Sequence, residues 1–318
     1  MIIPARPDQA EIKAVGAARN FDYPAELLEI LVARGKQPSA QRNTAVRAAQ
    51  GEWIYFLDDD SVPPPGNLRQ IVQRNGDPAV KMVGGPSLCP PDAPALEQVF
   101  ATVLSSWLAF GPSRARYTRV GAARAASEKE LILCNLAARR DAVLELGGFN
   151  EALYPNEENA LMDTLQKRGG QLIYDPGLHI YRRPRRTLKS FARMLMTYGR
   201  GRAEQFRVRP TLGSALNFIP PLFCVYLVLT VVLQCVAPAS PLARWSLPPL
   251  GAYVLAILVQ TAASMPAHGV ARSLSAVPLL AASHILYGIG FWRGMFTRLR
   301  SAGERPPGPG VVIEKISH

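Results

Sequence analysis

Two groups of carboxylates stand out for the chemistry they could do. Asp58, Asp59 and Asp60 are consecutive and close the stretch "GEWIYFLDDDS", directly after a run of large apolar residues. Three like charges side by side repel one another unless a cation sits among them. Hard oxygen donors at alternating positions, Asp58 and Asp60, suit Mg2+ or Mn2+, with phosphate oxygens completing the metal's shell. A solvated acidic turn ahead of Pro63, Pro64 and Pro65 is the plainer alternative, but it does not explain why the aspartates follow an apolar run without a spacer. The second group is Glu157 and Glu158, at the start of a helical pattern. Adjacent carboxylates there offer a general base and a partner to position it. Acids in a first helical turn also complement the helix dipole, so capping is an alternative account of one of the two.

The surrounding segments must bring a strand end and a helix start together. "MIIPA" reads as a first strand, residues 11–18 as a short helix and residues 27–33 as a second strand. "SAQRNTAVRAAQ" has helical spacing with Ser39 as its N-cap. Trp53–Leu57 is then a third strand, apolar throughout and therefore buried on both faces. Gly147 and Gly148 make a turn, residues 157–167 a helix, and residues 172–181 an edge strand with a turn at Asp175, Pro176 and Gly177. This alternation predicts an α/β domain with a largely parallel sheet over residues 1–185. The aspartates stand past the carboxyl end of a central strand, the edge at which open α/β sheets bind ligands.

The chain has 318 residues, with 36 Lys and Arg against 24 Asp and Glu, a net charge of +12. That excess favours an anionic partner. No nucleic-acid motif accompanies it, and the arginines crowd residues 186–211 instead. Cys89, Cys134, Cys224 and Cys235 lack metal-ligand spacing and read as reduced structural thiols. Met1, Ile2 and Ile3 open a core strand, without the basic segment and cleavage site of a signal peptide. Residues 210–243, 245–271 and 273–292 contain no Asp, Glu, Lys or Arg. Each is long enough for the ~20 residues that a crossing helix needs. Pro220, Pro221, Pro248, Pro249 and Pro278 fall near helix starts or mark kinks that membrane helices tolerate.

The expected organisation is therefore a domain at 1–185, a basic juxtamembrane linker or interfacial helix at 186–211, about three membrane helices at 212–297 and a basic Pro/Gly-rich tail at 298–318. Between Arg182 and Arg209 there are ten Lys and Arg and one acid, Glu204. Such a cluster binds anionic lipid and holds its side of the protein in the cytoplasm, giving a multi-pass protein of the inner membrane. Three full crossings would then export a tail carrying Arg293, Arg298, Arg300 and Arg305, against the same rule. Either the third segment is re-entrant or interfacial, or the rule is broken; the first two are expected to span. His284, midway along the third, needs a polar partner. Residues 96–110 have an apolar stripe that fits an interfacial helix or an ordinary core helix.

With these motifs in order, the sequence resembles the family-2 inverting glycosyltransferases of GT-A fold. "IIPAR" resembles the family's opening strand. "QRNTAVRAAQGEWIYFLDDDS" resembles its Asn-containing helix, strand and Asp-x-Asp signature, and "GGFNE" with "EENALMDTLQKRGG" its later acidic segments. The resemblance implies a GT-A head followed by an α-helical membrane domain, and a nucleotide-sugar donor contacted by Pro4, Arg6, Arg42, Asn43, Asp58 and Asp59. It implies Mg2+ or Mn2+ on Asp60 and Asp58. Glu158 falls at the family's catalytic base and Glu157 at the residue before it. The base would deprotonate an acceptor hydroxyl, which displaces the nucleoside diphosphate with inversion.

"YGRGRAEQ" sits where membrane-bound relatives carry a donor-diphosphate segment, which implies phosphate contacts from Arg200 and Arg202, to the donor or to a lipid-linked acceptor. Ala33 stands where many members have an acid that reads the nucleotide, with Arg34 and Lys36 beside it. The acceptor implied is a lipid-linked glycan or a polyprenyl (di)phosphate, with anionic membrane lipid as a further partner, in envelope polysaccharide synthesis. A processive synthase or a polyprenyl-phosphate glycosyltransferase remains an alternative, and an inactive membrane-tethered basic module is an alternative of another class.

Overall fold

A computed structural model describes residues 1–151, 156–208, 210, 212–299 and 310–316. The chain divides into two units, residues 1–91, 112–183 and 300–318 in one and residues 92–111 and 184–299 in the other. The first, here the head, begins β1 (Ile2–Ala5), α1 (Lys13–Ala18), β2 (Ile30–Arg34), α2 (Pro38–Ala48), β3 (Trp53–Leu57), α3 (Asn67–Gln73), β4 (Val80–Gly84) and β5 (Ser87–Leu88). Two helices of the other unit follow, α4 (Ala95–Leu104) and α5 (Trp107–Phe110). The head resumes with β6 (Arg124–Ala125), β7 (Asn135–Arg139), α6 (Arg140–Glu145), α7 (Glu157–Lys167), β8 (Gln171–Tyr174) and β9 (Ile180–Tyr181). The second unit continues with α8 (Leu188–Val208), α9 (Ile219–Val236), α10 (Pro241–Trp245), α11 (Leu247–His268) and α12 (Val270–Phe296). A last strand, β10 (Val312–Ile316), returns to the head.

The head is built on an eight-stranded sheet ordered β10-β2-β1-β3-β7-β4-β8-β6. It is mixed rather than largely parallel. β1 pairs parallel with β2 and β3, and β4 with β8, but β7 runs antiparallel between β3 and β4. β10 and β6 close the two edges, also antiparallel. β3 is the expected third strand to the residue. Its side chains alternate between the two cores: Ile54 and Phe56 enter one, Tyr55 and Leu57 the other. Burial on both faces is why the run carries no polar position.

Local boundaries shift where backbone chemistry outweighs the apolar pattern. β2 begins at Ile30 because residues 25–27 form a 3₁₀ turn after Pro24. The expected N-cap at Ser39 is corrected to Gln37, whose side chain accepts from the Ala40 N–H. Pro38, lacking an N–H, takes the first helical position and moves the cap back. Residues 172–181 are not one edge strand: β8 lies inside the sheet with β6 beyond it, and β9 pairs with β5 in a separate ribbon. Within the expected tail, Val312–Ile316 form a strand of the head. Its remaining Pro/Gly stretch at 300–309 lies outside the described residues.

In the second unit, residues 96–110 form two helices, broken where the Ser106 hydroxyl accepts from the Ala109 N–H. The segments Ala215–Val236, Pro241–His268 and Val270–Phe296 are long and apolar enough to cross a membrane. His284 has the partners it needs: Tyr253 Oη at 2.9 Å from Nδ1 and the Leu108 carbonyl at 3.0 Å from Nε2. α8 and α12 meet at backbone contact. A Cβ on Gly290 would overlap the Met196 carbonyl, and one on Gly199 the Tyr287 carbonyl, so neither helix accommodates even a methyl group there.

Candidate active site

β3 ends at Leu57, and the chain turns at once, with Ser61 Oγ accepting from the Asp58 N–H at 3.2 Å. The turn aims Asp58 and Asp60 the same way. Asp60 Oδ1 accepts from Arg182 Nε at 2.6 Å, and Asp58 Oδ2 lies 3.1 Å from Arg182 Nη2. Two carboxylates therefore converge on one cationic group. Asp59 turns aside, taking Gln9 Nε2 at 2.5 Å. The backbone of Arg182 is fixed next to the aspartates by structure alone: its N–H donates to Leu88 O, and Tyr181 exchanges two backbone bonds with Val62.

Arg42 connects the aspartates to the second carboxylate group. Its side chain is only 8% exposed and reaches Asp58 Oδ1 at 3.0 Å and Glu157 Oε1 at 3.5 Å. Glu157 is buried in the first turn of α7, whereas Glu158 beside it is half-buried. Burial pushes the Glu157 carboxyl up to about 7, the Glu158 charge adds to the rise, and Arg42 opposes it. An acid raised in this way stabilises the fold fully below its ordinary pKa, and that contribution is lost as pH rises through about 7. Glu157→Gln should therefore melt higher than wild type at about pH 8, with the gap closing by about pH 5. A gap independent of pH in melting curves would contradict the burial argument.

The remaining expected site residues separate. Asn43 is buried in α2 and clasps the loop before α7: Nδ2 donates to Phe149 O at 2.9 Å and Glu151 Oε1 at 3.0 Å, and Oδ1 accepts from Phe149 N at 2.8 Å. Both faces of its amide thus serve the loop. Gly148 makes that clasp possible, with φ of +80° and no room for a Cβ beside Asn43 Oδ1. Pro4 lies in β1, and Arg6 just after it is exposed. Arg200 and Arg202 belong to α8 in the other unit, paired with Glu204 at 3.4 Å and Gln205 at 3.0 Å. Residues 152–155, between Asn43's loop and α7, lie outside the described residues. Arg182 and Gln9 were not expected. In the sequence Arg182 is one of four arginines in "RRPRR", and only its place after β9 singles it out.

A divalent metal fits this chemistry. Among the described residues no three His, Cys, Asp or Glu side chains gather as a complete metal cage. Two partly exposed carboxylates paired with the same guanidinium are a share that suits a hard cation whose other ligands are phosphates and water.

Residues 24–98 match the family model described as Glycosyl transferase family 2. A pre-mycofactocin glycosyltransferase of Mycobacterium tuberculosis is 29% identical over 179 residues, covering 55% of this chain and 36% of that protein, in each of two strains. The chain thus spans about a third of the length of the curated relatives it matches. Among solved structures, a mannosyltransferase from Pyrobaculum calidifontis, in complex with GDP-Man and Mn2+, superposes with a TM-score of 0.51 at 19% identity, over 93% of this chain and 86% of that one. This likeness is one of fold.

Proposed function

We propose, from the match of residues 24–98 to the Glycosyl transferase family 2 model and from the GT-A-like fold, that the chain moves a sugar from a nucleotide-sugar donor to a lipid-linked or growing glycan acceptor, with inversion. The observation that carries this reading is the line of charge from Asp60 and Asp58 through Arg42 to the first turn of α7. It joins a place for the donor diphosphate to a place for a base, on one rigid sheet edge.

Asp60 and Asp58 would hold Mg2+ or Mn2+, which when bound supplies positive charge to the departing diphosphate. Arg42 keeps Asp58 and Glu157 in register, and its burial makes it a fixed spacer rather than a mobile one. Glu158, the more exposed of the two glutamates, accepts the proton of the acceptor hydroxyl, because an acceptor must be able to reach the base. Arg200 and Arg202 would serve phosphate groups of donor or acceptor. Incubating detergent-solubilised protein with Mn2+ and a mixture of UDP-, GDP- and dTDP-sugars tests the reading. One nucleoside diphosphate should be released in a metal-dependent way; release of none would overturn it.

The protein would sit in the inner membrane with its head in the cytoplasm, beside anionic lipid. β10 supports an even number of crossings: it pairs with β2 inside the head's own sheet, so the chain leaves the head and comes back to the same side. Three apolar helices then cannot all span. α12 is the one best placed to stay on the head side. It packs on α8, which bears Lys189, Arg193, Arg200, Arg202, Glu204 and Arg207, charges that hydrocarbon disfavours. It carries Arg272 and Arg293 within its own length, and it packs on α9 and α11 as well. α9 and α11 remain as a crossing pair, in keeping with the expectation that the first two segments span. A fluorescent reporter that matures only in the cytoplasm, fused after His318, should light up. A dark fusion with periplasmic phosphatase activity would mean an odd number.

A further inference from the structure

Three consecutive aspartates need positive charge whether or not a metal is bound, and this chain supplies two guanidinium groups of its own, Arg42 and Arg182. Arg182 gives Nε to Asp60 and Nη2 to Asp58, at 2.6 and 3.1 Å. These are the two carboxylates assigned above to the metal. The two arginines of the site differ in kind. Arg42 is almost wholly buried and held between Asp58 and Glu157, while the Arg182 side chain is 28% exposed and pairs with carboxylates that are partly open to solvent. Its backbone is pinned by Leu88 and by the Val62 bridge to Tyr181, so only the side chain is free to change position. A carboxylate oxygen in a short charge-assisted bond to a guanidinium is a poorer ligand for a second cation.

We propose that Arg182 is a built-in counter-ion that a divalent metal displaces, and that the released guanidinium then pairs with the diphosphate the metal brings. The inference rests on the metal and donor assignment made above. A guanidinium fork matches a phosphate as well as a carboxylate, so the side chain exchanges one anion for another and stays paired. The aspartates are never left uncompensated. Metal binds weakly to the nucleotide-free protein, and metal and diphosphate each strengthen the other's binding, because the same displacement serves both.

The test is binding of Mn2+ to the full chain in detergent, followed by electron paramagnetic resonance of the free ion, with and without inorganic pyrophosphate. Arg182→Gln should bind Mn2+ alone at least about tenfold more tightly than wild type, a difference of about 1.4 kcal/mol. It should also lose most of the gain that pyrophosphate confers. Arg182→Lys, which keeps the charge without the fork, should fall between the two, and circular dichroism checks that both variants are folded. If wild type binds Mn2+ in an Asp60-dependent way and Arg182→Gln binds it no more tightly, the counter-ion exchange is wrong while the metal site stands. If no variant binds Mn2+ with or without pyrophosphate, the metal assignment falls and the exchange falls with it.

Discussion

Replacing Asp60 with alanine should lower transfer by ~10²–10³-fold or more, the range seen when one directed electrostatic contact to a reacting group is lost, while the fold survives. The fold survives because Asp60 lies beyond the end of β3 and its side chain is 44% exposed. Under the proposed metal site, activity fails because one of the two carboxylates assigned to the cation is gone, leaving Asp58 to hold the charge. Circular dichroism and melting should match wild type, and added Mn2+ should not restore turnover. Wild-type turnover in the variant, or full activity of the native protein in excess chelator, would remove the metal from the account.

The second large effect is expected at Glu158. Glu158→Gln keeps the shape of the first turn of α7 and removes a proton acceptor, so donor binding should persist while transfer falls ~10²–10⁴-fold. Its neighbour provides the control. Glu157 is buried against Arg42, and its carboxyl is held near 7 by burial first and by Glu158 second. Were Glu157 the base instead, Glu157→Gln would be the crippled variant, and the acid limb of the wild-type rate profile would fall at about pH 7. Measuring both variants across pH separates the two assignments.

What could be read from the sequence was whatever a local run encodes by itself. β3 and α7 matched to the residue because an uninterrupted apolar run and a first turn of acids leave few alternatives. The aspartates' position at a strand end followed from β3 alone. What escaped was encoded by pairing across distance. β7 is a short run, "NLAAR", with an asparagine and an arginine at its ends, and only its place between β3 and β4 makes it a central antiparallel strand. β10 reads as part of a basic tail until it meets β2, where Glu314 pairs with Arg34 at 2.6 Å and Lys315 with Glu29 at 3.1 Å. Arg182 looks like any other arginine of its cluster. Asn43, expected at the donor, holds Phe149 and Glu151 in place, a contact across more than a hundred residues that no local pattern encodes.

The return of β10 to the head also sets an order of events during synthesis. β2 is made before α9, α11 and α12, yet the strand that covers its outer edge is made only after them. Until then β2 presents a row of unpaired N–H and C=O groups, a template for pairing with the wrong chain. The head therefore completes its sheet only after the apolar helices have left the ribosome. A ribosome stalled between α12 and β10 would leave a head with an open edge, the species in which chaperone binding or self-association should concentrate.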